Sequence, residues 1–294
     1  MHVLAPRREA KVIDGTTAET REEAIDLLTA IPRGGTEERL AANLERSDGP
    51  FRCPECSDPV RIRKGTINTH HFAHIPPFDC AYGSEESERH YLAKLSIYRT
   101  LKELPNCGEI SVERRRGDSR PDVSGYIQEI DDPGVRRGES IDSGRRVAIE
   151  VQRSSLQMWE LAERTARYAK YGAAVLWLAV RPISEIGNEY RPRAWERWVH
   201  GLCFGRVYYW TKDDEVVPVH FESMTRYVEP SEWYEPGGDL RQEGGYNRYL
   251  KRIKKPVFGP PTRISAMRQR RRGAWGEFPS AVLWQGAEGQ FWSD

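Results

Sequence analysis

The chain has 294 residues, with 45 Lys and Arg against 44 Asp and Glu, a formal net charge of +1. Its 38% hydrophobic and 30% charged content excludes a disordered chain, and no run of about 18 apolar residues offers a transmembrane helix, so no membrane partner is expected. A near-neutral total also argues, taken as an average, against a protein that grips nucleic-acid backbone, which usually takes an excess of basic residues.

The first residues, MHVLAPRREAK, lack the apolar stretch of a secretory signal, so the reading is a cytoplasmic protein in a reducing compartment. Residues 17–31 and 35–47 carry weak amphipathic periodicity and are expected as two short helices. Residues 51–80 are rich in Cys, His, Gly and Pro, with short strand-like pieces at 59–63 and 71–73. So small a segment with little apolar content usually needs a metal. Ser84 is a plausible cap for a helix over 85–103, where Tyr91, Leu92, Leu95, Tyr98 and Leu101 recur at helical spacing and Pro105 closes the run. Strands follow at 110–114, 122–128 and 147–152, the last two separated by a long acidic, Gly-rich loop. A helix is expected over 155–171, entered at Ser154-Ser155 and stopped by Gly172. The run AAVLWLAV at 173–180 predicts a strand buried on both faces. Beyond it, 207–210 and 216–221 read as a hairpin across Asp213-Asp214.

Cys53-x-x-Cys56 is half of a tetrahedral metal site of the kind Zn2+ prefers. Alternation along an extended segment keeps His71 and His74 off a common face. The second pair is then His74 with Cys80, or His71 with Cys80. Four closed ligands make a structural Zn2+ site. Cys107 and Cys203 are expected as buried thiols.

Asp122 opens one strand and Glu150 lies near the end of the next, followed by Gln152. Two adjacent strands can bring such carboxylates together, and hard cations such as Mg2+ take them with phosphate oxygens and water. A cation held there polarises a phosphate and activates a water. An acidic residue inside V-A-I-E-V is costly to bury without a partner or a metal. A third carboxylate could come from the helix start, at Glu85, Glu86 or Glu88. Arg164 and Tyr168 stand four residues apart on one helical face, where they could reach DNA phosphates or orient the site.

Arg120-Pro121-Asp122-Val123 followed by Glu150-Val151-Gln152 resembles the PD-(D/E)xK nuclease signature in a (D/E)xQ form. The wider layout over about 50–182 resembles the CoiA family of competence proteins: Cys53-Pro54-x-Cys56, His71-Phe72-Ala73-His74, Cys80, Glu86-Ser87-x-x-His90-x-x-x-Lys94, the two strand motifs, and then Arg164 and Tyr168 ahead of Leu176-Trp177. The resemblance implies an α/β, restriction-endonuclease-like core with a small N-terminal zinc-binding module and an α+β C-terminal region. It implies Glu86 as the helix carboxylate, Asp122 and Glu150 as ligands of a catalytic Mg2+ or Mn2+, and His90 and Lys94 as further site residues. Gln152 stands where many relatives carry lysine. A neutral amide only hydrogen-bonds, so the missing charge must come from Lys94, Arg120, Arg153 or the metal. Arg120, Arg164 and Tyr168 are candidates for DNA contact.

Residues 244–276 hold 10 of the 45 basic residues and none of the 44 acidic ones. Lys251, Arg252, Lys254, Lys255, Arg270, Arg271 and Arg272 lie there with interleaved aromatics, a pattern suited to phosphate contact and base stacking on single strands. The near-zero total is thus an acidic body plus a basic stretch. The expected organisation is an N-terminal segment (1–50), a zinc module (51–83), a nuclease-like domain (84–182) and a C-terminal region (183–294). The expected function is Mg2+-dependent hydrolysis of DNA in the handling of incoming or foreign DNA, with recombination or defence proteins as possible partners. The alternatives are a non-catalytic DNA-binding accessory protein on the same fold and a zinc-dependent protein-interaction module.

Overall fold

In the computed structural model of the protein the described residues are 27–65, 70–75, 80, 88–115, 117–128, 145–153, 156–274 and 279–284. The N-terminal part is a set of short strands. β1 (Thr29–Ala30) pairs with β2 (Arg39–Leu40), and β3 (Phe51–Arg52), β4 (Pro59–Arg63) and β5 (His71–His74) form an antiparallel sheet. Phe51, Val60, Ile62 and Phe72 fill a small core that Leu27, Ala30, Ala41 and Leu44 complete.

The helix expected over 35–47 is not formed. Arg39–Leu40 is extended, and the chain then makes two single 3-10 turns, Ala41–Asn43 and Arg46–Asp48. Leu40 joins the main core of the molecule, while Ala41 and Leu44 join the small one. One apolar stripe on a short helix cannot serve two cores, and a helix of that length is marginal by itself. Of 17–31, the described end is strand, and residues 17–26 lie outside the described part.

The main body begins with α1 (Glu88–Glu103), then β6 (Cys107–Val112), β7 (Val123–Ile127), β8 (Arg145–Gln152), α2 (Met158–Lys170) and β9 (Ala174–Ala179). β6, β7 and β8 are antiparallel neighbours, and β9 pairs parallel with β8. A parallel pair needs a crossover, which α2 supplies. The order helix, three strands, helix, strand agrees with the sequence. Every residue of β9 is buried, as expected of a central parallel strand. Each Leu or Val so placed contributes about 1.5–3 kcal/mol of burial. The Ser84 cap and the Ser154-Ser155 entry lie outside the described residues. α2 is instead seen to begin after Gln157, whose N–H donates to the Glu160 carboxylate at 3.0 Å. It ends as expected before Gly172, which sits at φ +66°.

The sheet continues through α3 (Ala194–Leu202), β10 (Val207–Lys212) and β11 (Glu215–Val228). β12 (Ser231–Tyr234) and β13 (Leu240–Glu243) form a separate hairpin, and the chain returns as β14 (Tyr246–Phe258) along β11. β15 (Thr262–Arg263), β16 (Arg268–Ala274) and β17 (Pro279–Trp284) complete it, β17 pairing with β9. The order along the main path is β14-β11-β10-β9-β8-β7-β6. The β10–β11 hairpin turns at Asp213, as expected, but β11 runs seven residues past the predicted end at 221. From there β11 and β14 form a ribbon that exposes Tyr227, Tyr246 and Tyr249, with Tyr234 of β12 73% exposed beyond them. Among the described residues no helix is long and apolar enough to cross a membrane.

Candidate functional site

The turn between β3 and β4 is tied by Cys53 and Asp58, the Cys53 N–H donating to the Asp58 carbonyl at 2.9 Å. Within it the N–H of Glu55 points to Cys53 Sγ and that of Asp58 to Cys56 Sγ, each at 3.4 Å. Register between β4 and β5 places His74 opposite Val60, next to this turn. One ligand atom from each of Cys53, Cys56, His74 and Cys80 then lies within 4.8 Å of the others. Cys56 Sγ is 3.5 Å from the His74 Nε2. A tetrahedral zinc holds such ligands about 3.3–3.8 Å apart, so the donor set and spacing fit a metal such as zinc. The group brought together contains His74 and Cys80; His71 is buried outside it, opposite Arg63 on β4. The remaining two cysteines, Cys107 and Cys203, are buried thiols that form no disulfide. Burial, together with the Asp214 charge, pushes the Cys107 thiol up to about 12.

The carboxylates come together where β7 begins and β8 ends. Val123 pairs with Ile149, and the Val151 N–H donates to Asp122 Oδ2 at 2.7 Å. Glu150 is buried, as the V-A-I-E-V context requires. From α1, Lys94 Nζ lies 3.0 Å from Asp122 Oδ1, and His90 Nε2 lies 3.5 Å from Oδ2. The two residues are one helical turn apart and so reach the site together. From α2, Tyr168 donates its O–H to Glu150 Oε1, and Arg164 lies 3.2 Å from Oε2. Lys94 is only 1% exposed, and it also donates to Glu113 at 2.8 Å. Glu113 is a site residue that the sequence did not disclose.

The two central carboxyls are driven apart electrostatically. Burial raises Asp122, but the Lys94 and His90 charges outweigh it and hold the carboxyl below the usual range. Burial, reinforced by the Asp122 charge, pushes Glu150 up to about 7, against the pull of Arg164 and Tyr168. Burial and the Glu150 charge likewise raise the Tyr168 phenol far above its ordinary value, so it stays a donor. A buried and a part-buried carboxylate that repel each other fit a hard divalent cation, and each oxygen keeps a lone pair beyond the donor it accepts.

Gln152 is buried at the end of β8, two residues from Glu150 and on the same face. Glu85 and Glu86, and the side chain of Glu88, lie outside the described part of the structure, so the third carboxylate seen here is Glu113. Arg120 does not face solvent as a DNA contact would. Its guanidinium meets Glu38 at 3.0 Å, Glu55 at 2.9 Å and the Glu113 carbonyl at 2.8 Å. Burial pushes the Glu38 carboxyl up despite this pairing. Tyr168 is likewise buried and orients Glu150 rather than touching a phosphate. Lys251, Arg252, Lys254 and Lys255 lie on β14, four strands or about 19 Å across the sheet from β8. Lys254 donates to Tyr249 Oη at 3.0 Å, and Lys255 pairs with Glu222 at 3.2 Å. Arg270 stacks on Phe204 at 3.7 Å. The side chains of Arg271 and Arg272 lie outside the described part. The expected DNA contacts therefore do not form one patch.

Two family models match the chain: the N-terminal domain of competence protein CoiA over residues 35–83, and the nuclease-like domain of competence protein CoiA over residues 140–194. The first contains the whole cysteine–histidine group, and the second contains Glu150, Gln152, Arg164 and Tyr168. No curated protein and no solved structure matches the chain. The two matches fall on the cysteine–histidine group and on the Glu150-x-Gln152 strand, in that order, and they support a CoiA-like competence protein family.

Proposed function

We propose that the protein is a metal-dependent nuclease that hydrolyses DNA phosphodiester bonds, in the handling of incoming or foreign DNA. The observation that carries the reading is the pairing of part-buried Asp122 with buried Glu150, backed by Lys94, where β7 begins and β8 ends beside the stretch that matches a nuclease-like domain. The order α1, antiparallel β6–β7–β8, α2, parallel β9 supports a PD-(D/E)xK core over about 84–182. A zinc module over 51–83 precedes it, and residues 183–294 form the C-terminal region.

Asp122 and Glu150 would hold Mg2+, which supplies Lewis-acid polarisation of a phosphoryl oxygen. Asp122, kept ionised by Lys94 and His90, is the permanent negative ligand. Glu150 exchanges its proton near neutrality and is oriented through both oxygens by Tyr168 and Arg164. Lys94 brings a buried positive charge within 3.0 Å of Asp122, the charge that Gln152 lacks. The Gln152 amide is limited to hydrogen-bonding a water or a phosphate. Cys53, Cys56, His74 and Cys80 would close around Zn2+ and leave no open position, so that ion is structural.

A second reading, a DNA-binding accessory protein without cleavage, is favoured by one observation. All four oxygens of Asp122 and Glu150 already face donors or cations of the chain. Incubation of purified protein with single- and double-stranded DNA separates the two. Cutting that requires Mg2+ or Mn2+ and disappears in Asp122→Ala and Glu150→Ala supports the nuclease. Binding without cutting supports the accessory protein, and cutting unchanged by both variants overturns the site.

A further inference from the structure

Beside the carboxylates lies a cavity of about 190 Å³ that the reaction does not use. Its position follows from strand alternation. Ala148 precedes Glu150 by two residues on β8 and faces the same way, and its partner across the ladder is Ser124; one step further the pair is Arg146 with Tyr126. The small side chains Ser124 and Ala148 leave a floor without bulk. Tyr126, Tyr168, Tyr171 and Arg146 form the walls.

The walls are fixed in place. Arg146 Nε donates to Tyr126 Oη at 3.0 Å, its Nη1 donates to the Tyr171 carbonyl at 3.3 Å, and the guanidinium lies over the Tyr126 ring. Tyr171 Oη accepts from the Asp118 N–H at 3.1 Å. Its ring is accommodated only because residue 117 is glycine: a Cβ there would meet Tyr171 Oη at 1.9 Å. Tyr168 is shared, lining the cavity with its ring and holding Glu150 with its hydroxyl.

We infer that this cavity receives one nucleobase of a single-stranded substrate, next to the phosphate that the carboxylates act on. Three phenol rings and a guanidinium plane offer stacking to a flat ring, and among the described residues the lining includes no carboxylate to repel its carbonyl edges. The guanidinium also suits the adjoining phosphate. From Ala148 to Glu150 is about 7 Å along the strand, a span that one nucleotide bridges. The inference rests on nucleic acid as the ligand. It adds that the strand enters unpaired, because a base inside a duplex cannot reach such a cavity.

The test uses the full chain, without added Mg2+, and a single-stranded oligonucleotide carrying 5-iodouracil, in DNA and RNA versions. Photocrosslinks mapped by mass spectrometry are expected at Tyr126 or Tyr171, and whichever version crosslinks names the sugar. Tyr126→Ala is expected to weaken binding of the same oligonucleotide roughly 5- to 150-fold, the worth of one stacked base, with an unchanged melting temperature. Arg146→Ala is expected to weaken it as well. Crosslinks confined to other residues, or unchanged affinity in both variants, overturn the inference. Crosslinks at Tyr126 in a protein that never cuts DNA uphold the cavity and reject the nuclease.

Discussion

Glu55, the side chain between the paired cysteines of the knuckle, lies 2.9 Å from the guanidinium of Arg120, and Arg120 stands two residues ahead of Asp122. The cysteine–histidine module and the carboxylate site are therefore joined by a part-buried ion pair, beside which Arg115 also meets Glu55 at 2.5 Å. Arg120→Ala leaves Glu38 without its cation and Glu55 with Arg115 alone, and is expected to cost about 3 kcal/mol, read as the shift in a urea unfolding curve. Arg120→Lys should recover little of it, since an ammonium cannot serve both carboxylates and the Glu113 carbonyl in one plane. Wild-type stability in Arg120→Ala would show that the pair carries no load.

Metal content separates the histidines. His74→Ala and Cys80→Ser are expected to lose bound zinc on purification, and His71→Ala to keep it, by elemental analysis. Zinc retained by His74→Ala would reject the four-ligand assignment.

Glu150 sets a pH dependence of stability. Its folded carboxyl titrates near 7, above the ordinary value of 4.5. Folding therefore favours the protonated form, and the ionised form costs stability. That cost is absent below about pH 4.5, grows as pH rises, and is complete above about 7, where it is on the order of 3 kcal/mol. In the absence of divalent cation, Glu150→Gln should raise the melting temperature at pH 8 and leave it unchanged at pH 4.5, with Tyr168 still donating to the amide oxygen. A stabilisation that is the same at both pH values would contradict the assignment.

Lys94 is expected to matter to rate as well as to fold. Lys94→Met strands the buried Glu113 and the part-buried Asp122 and should both destabilise the protein and lower single-turnover cleavage about 100- to 1000-fold. Adding Glu113→Gln removes one of the stranded charges. The double variant should regain stability without regaining cleavage; if cleavage returns with stability, Lys94 is structural only.

The β14 basic residues are tested by salt. Lys251→Gln with Arg252→Gln is expected to reduce the slope of log affinity against log salt by about 1.4 for single-stranded DNA. An unchanged slope places the phosphates elsewhere.

Much of the body was legible because burial leaves a period in the sequence. AAVLWLAV is buried at every position of β9, and the spacing of Leu161, Thr165 and Tyr168 is the buried face of α2. The knuckle was legible from ligand chemistry, but alternation along the strand only kept His71 and His74 off one face, and the grouping of His74 with the cysteines came from the β4–β5 register. Glu113 was not legible. It sits just past β6 at φ +49°, an uncommon conformation for Glu, and its partners come from Leu28 and Lys94, far away in sequence. Arg120 read as a DNA contact because its carboxylates, Glu38 and Glu55, lie in another module. The outer half of β11 escaped for a different reason. Past Phe221 it has solvent on both faces, so no alternation marks it as strand.

Beyond its own ladder, that outer ribbon is held to the body by the exposed Arg226–Glu189 pair at 3.0 Å. Each pair from Met224–Leu250 out to Val228–Tyr246 rests on the pair nearer the sheet, and none has a core beneath it. Amide hydrogens should therefore exchange in a graded order, fastest at the Val228 end and slowest toward Val219, where β11 enters the body. The basic strand then behaves as a compliant arm on a stiff frame, able to follow a bound strand without disturbing the carboxylates four strands away.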